Sequence, residues 1–429
     1  MTEWRVTTLG DVIEVSHGFA FKGEYFRDNG ANVLLTPKNF KAGGGLDVSP
    51  GRCKFYDGPI DERFVLAPGS VVVAMTDLIQ DAPILGAAGT IPATGRYLHN
   101  QRIGRVAVKD PGRIRTEFIP WLLNSPTVRA QVRATATGAT VRHTAPVRIG
   151  EVVTQIPPPR EQDKIAGILT AFDELIAINE RRIELLEDLA RSLYREWFVR
   201  FRFPGWDNVR FTDTPIGSAP ADWQADRLRE FVTTQYGFTA SATKVPVGPR
   251  FLRGMDINKR SYTDWSEVPY CKVPDEQLDR FRLDAGDVCV VRMADPGKVG
   301  IVERPVDAVF ASYLVRIRSA DARLGPQLLA HYLRDTRYQD WVTGSSTGTT
   351  RKSASASVLT EPLIVLPPID LADQFERKAD AFRSALNSLV EQNAALAHTR
   401  DLLLPRLVTG RLDISDVDLG DLLPAEFAA

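Results

Sequence analysis

The sequence predicts a mixed α/β protein with an internal duplication. Two related α/β domains are joined by two long helices packed as an antiparallel coiled coil, giving pseudo-two-fold symmetry. Three observations predict it: the halves match each other in order, each half closes on a proline stop, and each stop precedes a heptad-patterned stretch.

The duplication comes first. Trp4, Leu9 and His17-Gly18-Phe19 match Trp223, Leu228 and Tyr236-Gly237-Phe238 at identical spacing. FVLAPGSVVVAM (64–75) matches FRLDAGDVCVVR (281–292), with Gly69 and Gly286 as turn glycines before a β-branched strand. TGATVR (137–142) matches TGTTRK (347–352), and QIPPP (155–159) matches VLPPI (365–369). The order is kept at an offset of about 210–219 residues, too long for a solenoid repeat, so the repeated object is a domain.

Residues 1–158 read as the first domain. VLLTP (33–37), SVVVAM (70–75) and RIGRVAV (102–108) are strand-like runs bounded by turn residues, and FIPWLLNSPTVRAQV (118–132) is a short helix. Pro157-Pro158-Pro159 ends the domain, because proline cannot donate to a sheet. Over 159–203 a helix follows, with Ile165, Phe172, Asn179, Leu186 and Leu193 seven apart as pairing positions. Ile168, Leu175 and Leu189 supply a companion stripe, interrupted at Arg182. Residues 204–368 repeat the domain, with PQLLAHYLRDTRYQDWV (326–342) as its helix and Pro367-Pro368 as its stop. The second long helix, 369–410, carries Phe375, Phe382, Leu389, Leu396 and Leu403 at the same spacing, and Pro405 is expected to kink or end it. Asn179 and Asn393 sit at matching places at an offset of 214, where they either fix register inside the seam or face solvent. Two such seams on one chain pack most simply on each other; at about 1.5 Å per residue, forty residues of helix span roughly 60 Å. Residues 411–429 form an acidic tail, frayed or covering a partner.

Composition excludes several classes. The 429 residues are 44% hydrophobic and 25% charged, the profile of a soluble protein of two to four domains. No apolar run is long enough to span a membrane, and the opening MTEWRVTTLGDV lacks the apolar core of a secretory signal. Cys53, Cys271 and Cys289 are scattered, which argues against a disulfide framework or zinc site and for a reducing, cytoplasmic setting. Net charge is −1, but residues 102–148 hold nine Lys and Arg against two acids, a stretch compatible with phosphate contacts.

No catalytic motif is present. There is no Asn-Pro-Pro-Tyr or Asp-Pro-Pro-Tyr stretch, no Walker-type loop, no His-Glu-x-x-His, and no ligand spacing among the five histidines. No cofactor or metal is expected.

IPPPREQDKIAGILTAFDELIAINERRIELLEDLARSLYREWFVRF (156–201), LPPIDLADQF (366–375), LLLPRLVTGRLD (402–413) and the opening WRVTTLGDV with GFAF together resemble the specificity subunit of type I restriction-modification systems over almost the whole chain. The resemblance implies a non-catalytic DNA-recognition subunit. Each variable domain, a target-recognition domain, would read one half of a split target in double-stranded DNA. The paired helices would set the spacer and dock two methyltransferase subunits, and motor-nuclease restriction subunits would complete the complex. Alternatives are service to a fused nuclease-methyltransferase, or a self-contained nuclease or methyltransferase with a cryptic site.

Arginine and lysine suit guanine, asparagine and glutamine suit adenine, and glycine with hydroxyls allows close approach to phosphate. On that basis the candidate DNA contacts are Lys38, Asn39, Arg102, Thr140, Arg142 and His143 in the first half. In the second half they are Arg253, Asp256, Arg292, Thr350, Arg351 and Lys352. His17 and Tyr236 read as packing residues.

Overall fold

Val71–Ala74 has no polar side chain, and the structure shows why: Val71 and Val73 enter one hydrophobic cluster while Val72 and Ala74 enter another. A strand with cores on both faces loses the usual polar alternation. The structure is a computed structural model describing residues 4–414 and 417, apart from 50, 216, 259 and 349–351. The chain divides into two compact units, one of residues 1–177 with 394–429 and one of residues 178–393.

In the first unit Val71–Ala74 sits in a four-stranded antiparallel sheet in the order Ile13–His17, Ile103–Val108, Val71–Ala74, Ala88–Thr90. Beside it lies a five-stranded sheet in which Asn32–Leu34 runs parallel to Arg96–Leu98. Arg5–Thr8 pairs antiparallel with Val153–Ile156, tying the start of the domain to the strand before the proline stop.

The second unit repeats this wiring. Its four-stranded sheet runs Val232–Tyr236, Leu314–Ser319, Val288–Val291, Val299–Ile301, again antiparallel. Val288 and Val290 face one cluster, and Cys289 and Val291 the other. Arg250–Leu252 runs parallel to Ala308–Phe310, and Gln224–Arg227 pairs with Leu363–Leu366. The peripheral strands of the first unit's second sheet are reduced in the second to single-residue bridges, Thr243 and Arg250 with Tyr270 and Arg282 with Val309.

The helix after each stop is long: α1 covers Pro159–Tyr194 and ends in a π-turn over Arg195–Val199, and α2 covers Ile369–Val408. In the first unit Ile165, Ala166 and Leu169 of α1 share a core with Leu404, Leu407 and Val408 of α2. In the second unit Tyr194 and Trp197 share a core with Leu371, Phe375 and Ala379, and the Phe198 and Phe375 rings meet edge-on at 4.9 Å. Asn179 donates through Nδ2 to Asn393 Oδ1 at 3.0 Å, so the offset-214 pair faces inward rather than to solvent.

Two expectations need correction. The companion stripe on α1 is Leu169, Ile183 and Ala190, all buried, whereas Leu175 and Leu189 are 49% and 53% exposed. Both three- and four-residue steps stay near one helical face, and the sequence offered apolar residues at both. With Ile183 in the seam, Arg182 interrupts nothing. Pro405 also does not end α2, which runs on to Val408, and Thr409 Oγ1 donates to the Pro405 carbonyl at 2.6 Å. Proline this near a C-terminus removes one hydrogen bond in a turn that the Leu404, Leu407 and Val408 packing holds.

His99, 2% exposed, holds the first unit's strand crossing through a 2.9 Å contact from Nε2 to the Ile103 carbonyl. Burial lowers its pKa to about 4 from 6.5. The folded state therefore binds the proton less readily than the unfolded state, and the stabilisation is complete above pH 6.5 and lost as pH falls through 4. His99→Gln should flatten this acid limb of unit 1 stability, worth about 2–3 kcal/mol in the native chain; urea titrations at pH 7 and pH 5 measure it.

Candidate nucleic-acid interface

Each unit builds the same small ribbon and loop. In the first, Thr76–Asp77 pairs antiparallel with Arg142–His143, and Thr137 and His143 exchange backbone hydrogen bonds of 2.9 Å across the TGATVR loop. In the second, Met293–Ala294 pairs with Lys352–Ser353, and Thr347 and Ser353 exchange bonds of 2.9 and 2.8 Å. Gly138 and Gly348 adopt φ of +95° and +99°, and a Cβ on Gly138 would lie 2.1 Å from the Val141 carbonyl oxygen. The loop thus needs glycine for its own closure.

The ribbon strands present the cationic candidates. Arg142 is half-buried, with weak guanidinium bonds of 3.4 and 3.5 Å to the Gly138 and Ala136 carbonyls. His143 is exposed and its Nδ1 meets Thr76 Oγ1 at 2.9 Å. Thr140, Lys38, Arg102 and Lys352 are exposed. Arg292 is half-buried with its guanidinium 4.8 Å from the centre of the Tyr236 ring, whose hydroxyl accepts from the Ala356 N–H at 3.0 Å. Tyr236 is therefore a platform for a cation rather than a core residue. Thr350 and Arg351 lie outside the described residues.

Three candidates are spent on the fold. Asn39 is fully buried; its Oδ1 accepts from the Thr36 N–H at 2.8 Å and its Nδ2 donates to the Asp47 carbonyl at 3.2 Å. Asp256 holds the equivalent turn, accepting from the Arg253 N–H at 2.9 Å and from both ends of the Arg253 guanidinium at 3.0 and 2.8 Å. Asn39 and Asp256 are thus turn caps, and Arg253 is tied to its neighbour. At both places a cap three residues into a turn has the same residue preference as a base contact, so residue type alone misassigned them.

Sequence reasoning passed over two residues that hold this end of the first unit. Buried Asp77 accepts from the Ile79 and Ile84 N–H groups at 3.0 and 2.7 Å. Buried Arg129 donates to the Leu85, Ala42 and Pro83 carbonyls at 3.1, 3.2 and 2.6 Å, and burial lowers its pKa to about 10. An arginine on the buried face of a helix was the available signal. Cys271 and Cys289 are buried with their thiols pushed up by burial, the reverse of an activated nucleophile. Among the described residues no group of three or more His, Cys, Asp or Glu is arranged to hold a metal, and no helix is long and apolar enough to cross a membrane.

The family described as "Type I restriction modification DNA specificity domain" matches residues 1–188. The chain is 23% identical over 413 residues to the type I restriction enzyme EcoBI specificity subunit of Escherichia coli, covering 93% of this chain and 83% of that one. It is 23% identical over 428 residues to the MjaIX specificity subunit of Methanocaldococcus jannaschii, covering 97% and 95%. Residues 1–188 thus match the type I DNA specificity domain, and over most of its length the chain is similar to type I specificity subunits. In fold, the chain resembles the crystal structure of the S subunit from M. genitalium, at a TM-score of 0.55 and 12% identity over 95% of this chain and 96% of the other.

Proposed function

We propose that each unit of this chain reads one half of a split target in double-stranded DNA, that α1 and α2 set the unspecific gap, and that two methyltransferase subunits and motor-nuclease subunits assemble on it. The observation that carries the reading is the ribbon and loop built twice on one wiring with different side chains: Arg142 and His143 in one, Lys352 and the Arg292–Tyr236 stack in the other. A shared frame with changed side chains is what two related but unequal half-sites require. Ile178, Leu185 and Leu189 are exposed along α1, and Leu185, Leu186 and Leu189 border an apolar groove of about 490 Å³ with Leu389. That face suits an apolar partner surface and supports docking of the methyltransferase on the helices. On this reading the chain supplies recognition and the partner supplies methyl transfer.

The test is methylome sequencing of cells carrying the chain with its neighbouring methyltransferase, in native form and with one heptad added to each long helix. The expected result is a two-part motif whose gap changes while both specific parts stay the same. Altered specific parts would sink the spacer role, and methylation by the purified chain alone would sink the non-catalytic role.

A further inference from the structure

The two ribbons differ in the loop that leaves their first strand. Asp77 and Ala294 occupy the same place, each paired with the residue opposite, and Gly86 and Gly297 both pack on the next helix, against Val132 and Val342. Between those points the second unit has two residues, 295 and 296, and the first has eight, 78–85. The insertion begins with Leu78 and Ile79, which are 45% and 57% exposed.

Two adjacent large apolar side chains at a loop tip are unfavourable in water, yet the loop beneath them is firmly held. The Asp77 carboxylate clasps the loop at Ile79 and Ile84, Arg129 bonds the carbonyls of Pro83 and Leu85, and Leu85 and Ala82 are buried. A buried arginine and a buried aspartate thus fix a surface loop that leaves Leu78 and Ile79 half-exposed. The tip carries no cation: Gln80 and Asp81 come next, both exposed. A carboxylate is repelled by phosphate, so the tip is not a backbone-positioning element. Its chemistry fits base edges: an apolar surface fits the thymine methyl in the major groove, and a glutamine amide fits adenine. Arg142, on the strand paired with Asp77, belongs to the same ribbon.

We propose that the 78–81 tip is a specificity-determining element of the first unit, with Leu78 and Ile79 contacting a thymine methyl of an A·T pair in that unit's half-site. The proposal rests on the split-target reading above.

The test uses the chain assembled with its methyltransferase and duplexes carrying the target found by methylome sequencing. Leu78→Ser/Ile79→Ser should weaken binding to the target by about 10-fold and leave unspecific duplex within about 2-fold. Leu78→Val/Ile79→Val, which stays apolar, should retain most of the affinity and show that folding is not the cause. Replacing thymines of that half-site one at a time by deoxyuridine, which removes only the methyl, should weaken the native complex at one position and leave the serine variant unaffected there. Unchanged target affinity of the serine variant, an equal loss on both duplexes, or no sensitivity to deoxyuridine would overturn the proposal. A native complex that prefers no duplex at all would instead overturn the split-target reading together with it.

Discussion

Replacing Arg383 by leucine is expected to destabilise the second unit by about 3–5 kcal/mol, because the buried partner carboxylate then loses its strongest cationic neighbour and keeps only the weaker pull of Arg334 and Arg304. Arg383 projects from α2, is 7% exposed, and lies 3.6 Å from the equally buried Glu303. Neither of the two facing atoms, Arg383 Nη1 and Glu303 Oε1, makes a hydrogen bond, so the pair is held by charge alone. Burial lifts the Glu303 carboxyl to about 6 against the opposing pull of Arg383. The comparison should therefore be made at pH 8, where the acid is ionised. Removing both charges with Arg383→Leu/Glu303→Leu should recover most of the loss, since desolvating an ion pair costs about as much as its attraction returns. Thermal unfolding with limited proteolysis of the second unit reads both variants. A single variant as stable as the native chain would show that the site is hydrated and the pair unimportant.

Gly237→Ala and Gly18→Ala are expected to lose about 3 kcal/mol or more each, at the upper end of what overpacking costs. A Cβ on Gly237 would lie 2.3 and 2.4 Å from the carbonyl oxygens of Ala311 and Phe310, and one on Gly18 would lie 2.2 and 2.4 Å from those of His99 and Asn100. These are backbone atoms of a crossing fixed on both sides: Phe19 donates to the His99 carbonyl and Phe238 to the Phe310 carbonyl, each at 2.8 Å. Nothing flexible can give way. Each variant should lower the denaturation midpoint of its own unit, and tolerance of alanine at either place would contradict the geometry. The Gly-Phe dipeptide seen twice in the sequence is thereby explained by a close approach of two strands, with Phe238 packed on the Phe281 ring at 5.3 Å.

Much of the frame was legible because it is carried by properties that repeat: turn glycines, proline stops and apolar positions seven apart. Phe375 and Ile165 could be placed from spacing alone and are buried in helix seams, whereas for Asn179 spacing left seam and solvent equally open until its bond to Asn393 chose the seam. The companion stripe could not, because Leu175 and Leu189 compete with Ile183 and Ala190 for the same face, and only the direction of the neighbouring helix chooses between them. The interface was less legible still. Asn39 and Asp256 have the chemistry of base contacts and the location of turn caps, and burial decides between those roles. Arg129 has the chemistry of a phosphate contact and is instead enclosed by three carbonyls. Leu78 and Ile79 drew no attention because an apolar pair in a sequence reads as core.

The central strand of each sheet divides its unit into two inheritances. Val71 and Val73 look toward the cluster that includes Ile165 and Leu407 of the long helices, while Val72 and Ala74 look toward the cluster of Leu35, Phe40 and Tyr97 beneath the capped turn. Exchanges on the second side need only match a few small side chains of one strand, and the helical assembly is not consulted. Changes confined to the second cluster therefore leave the packing of Ile165 and Leu407 in place, so the two sides of the strand can vary separately.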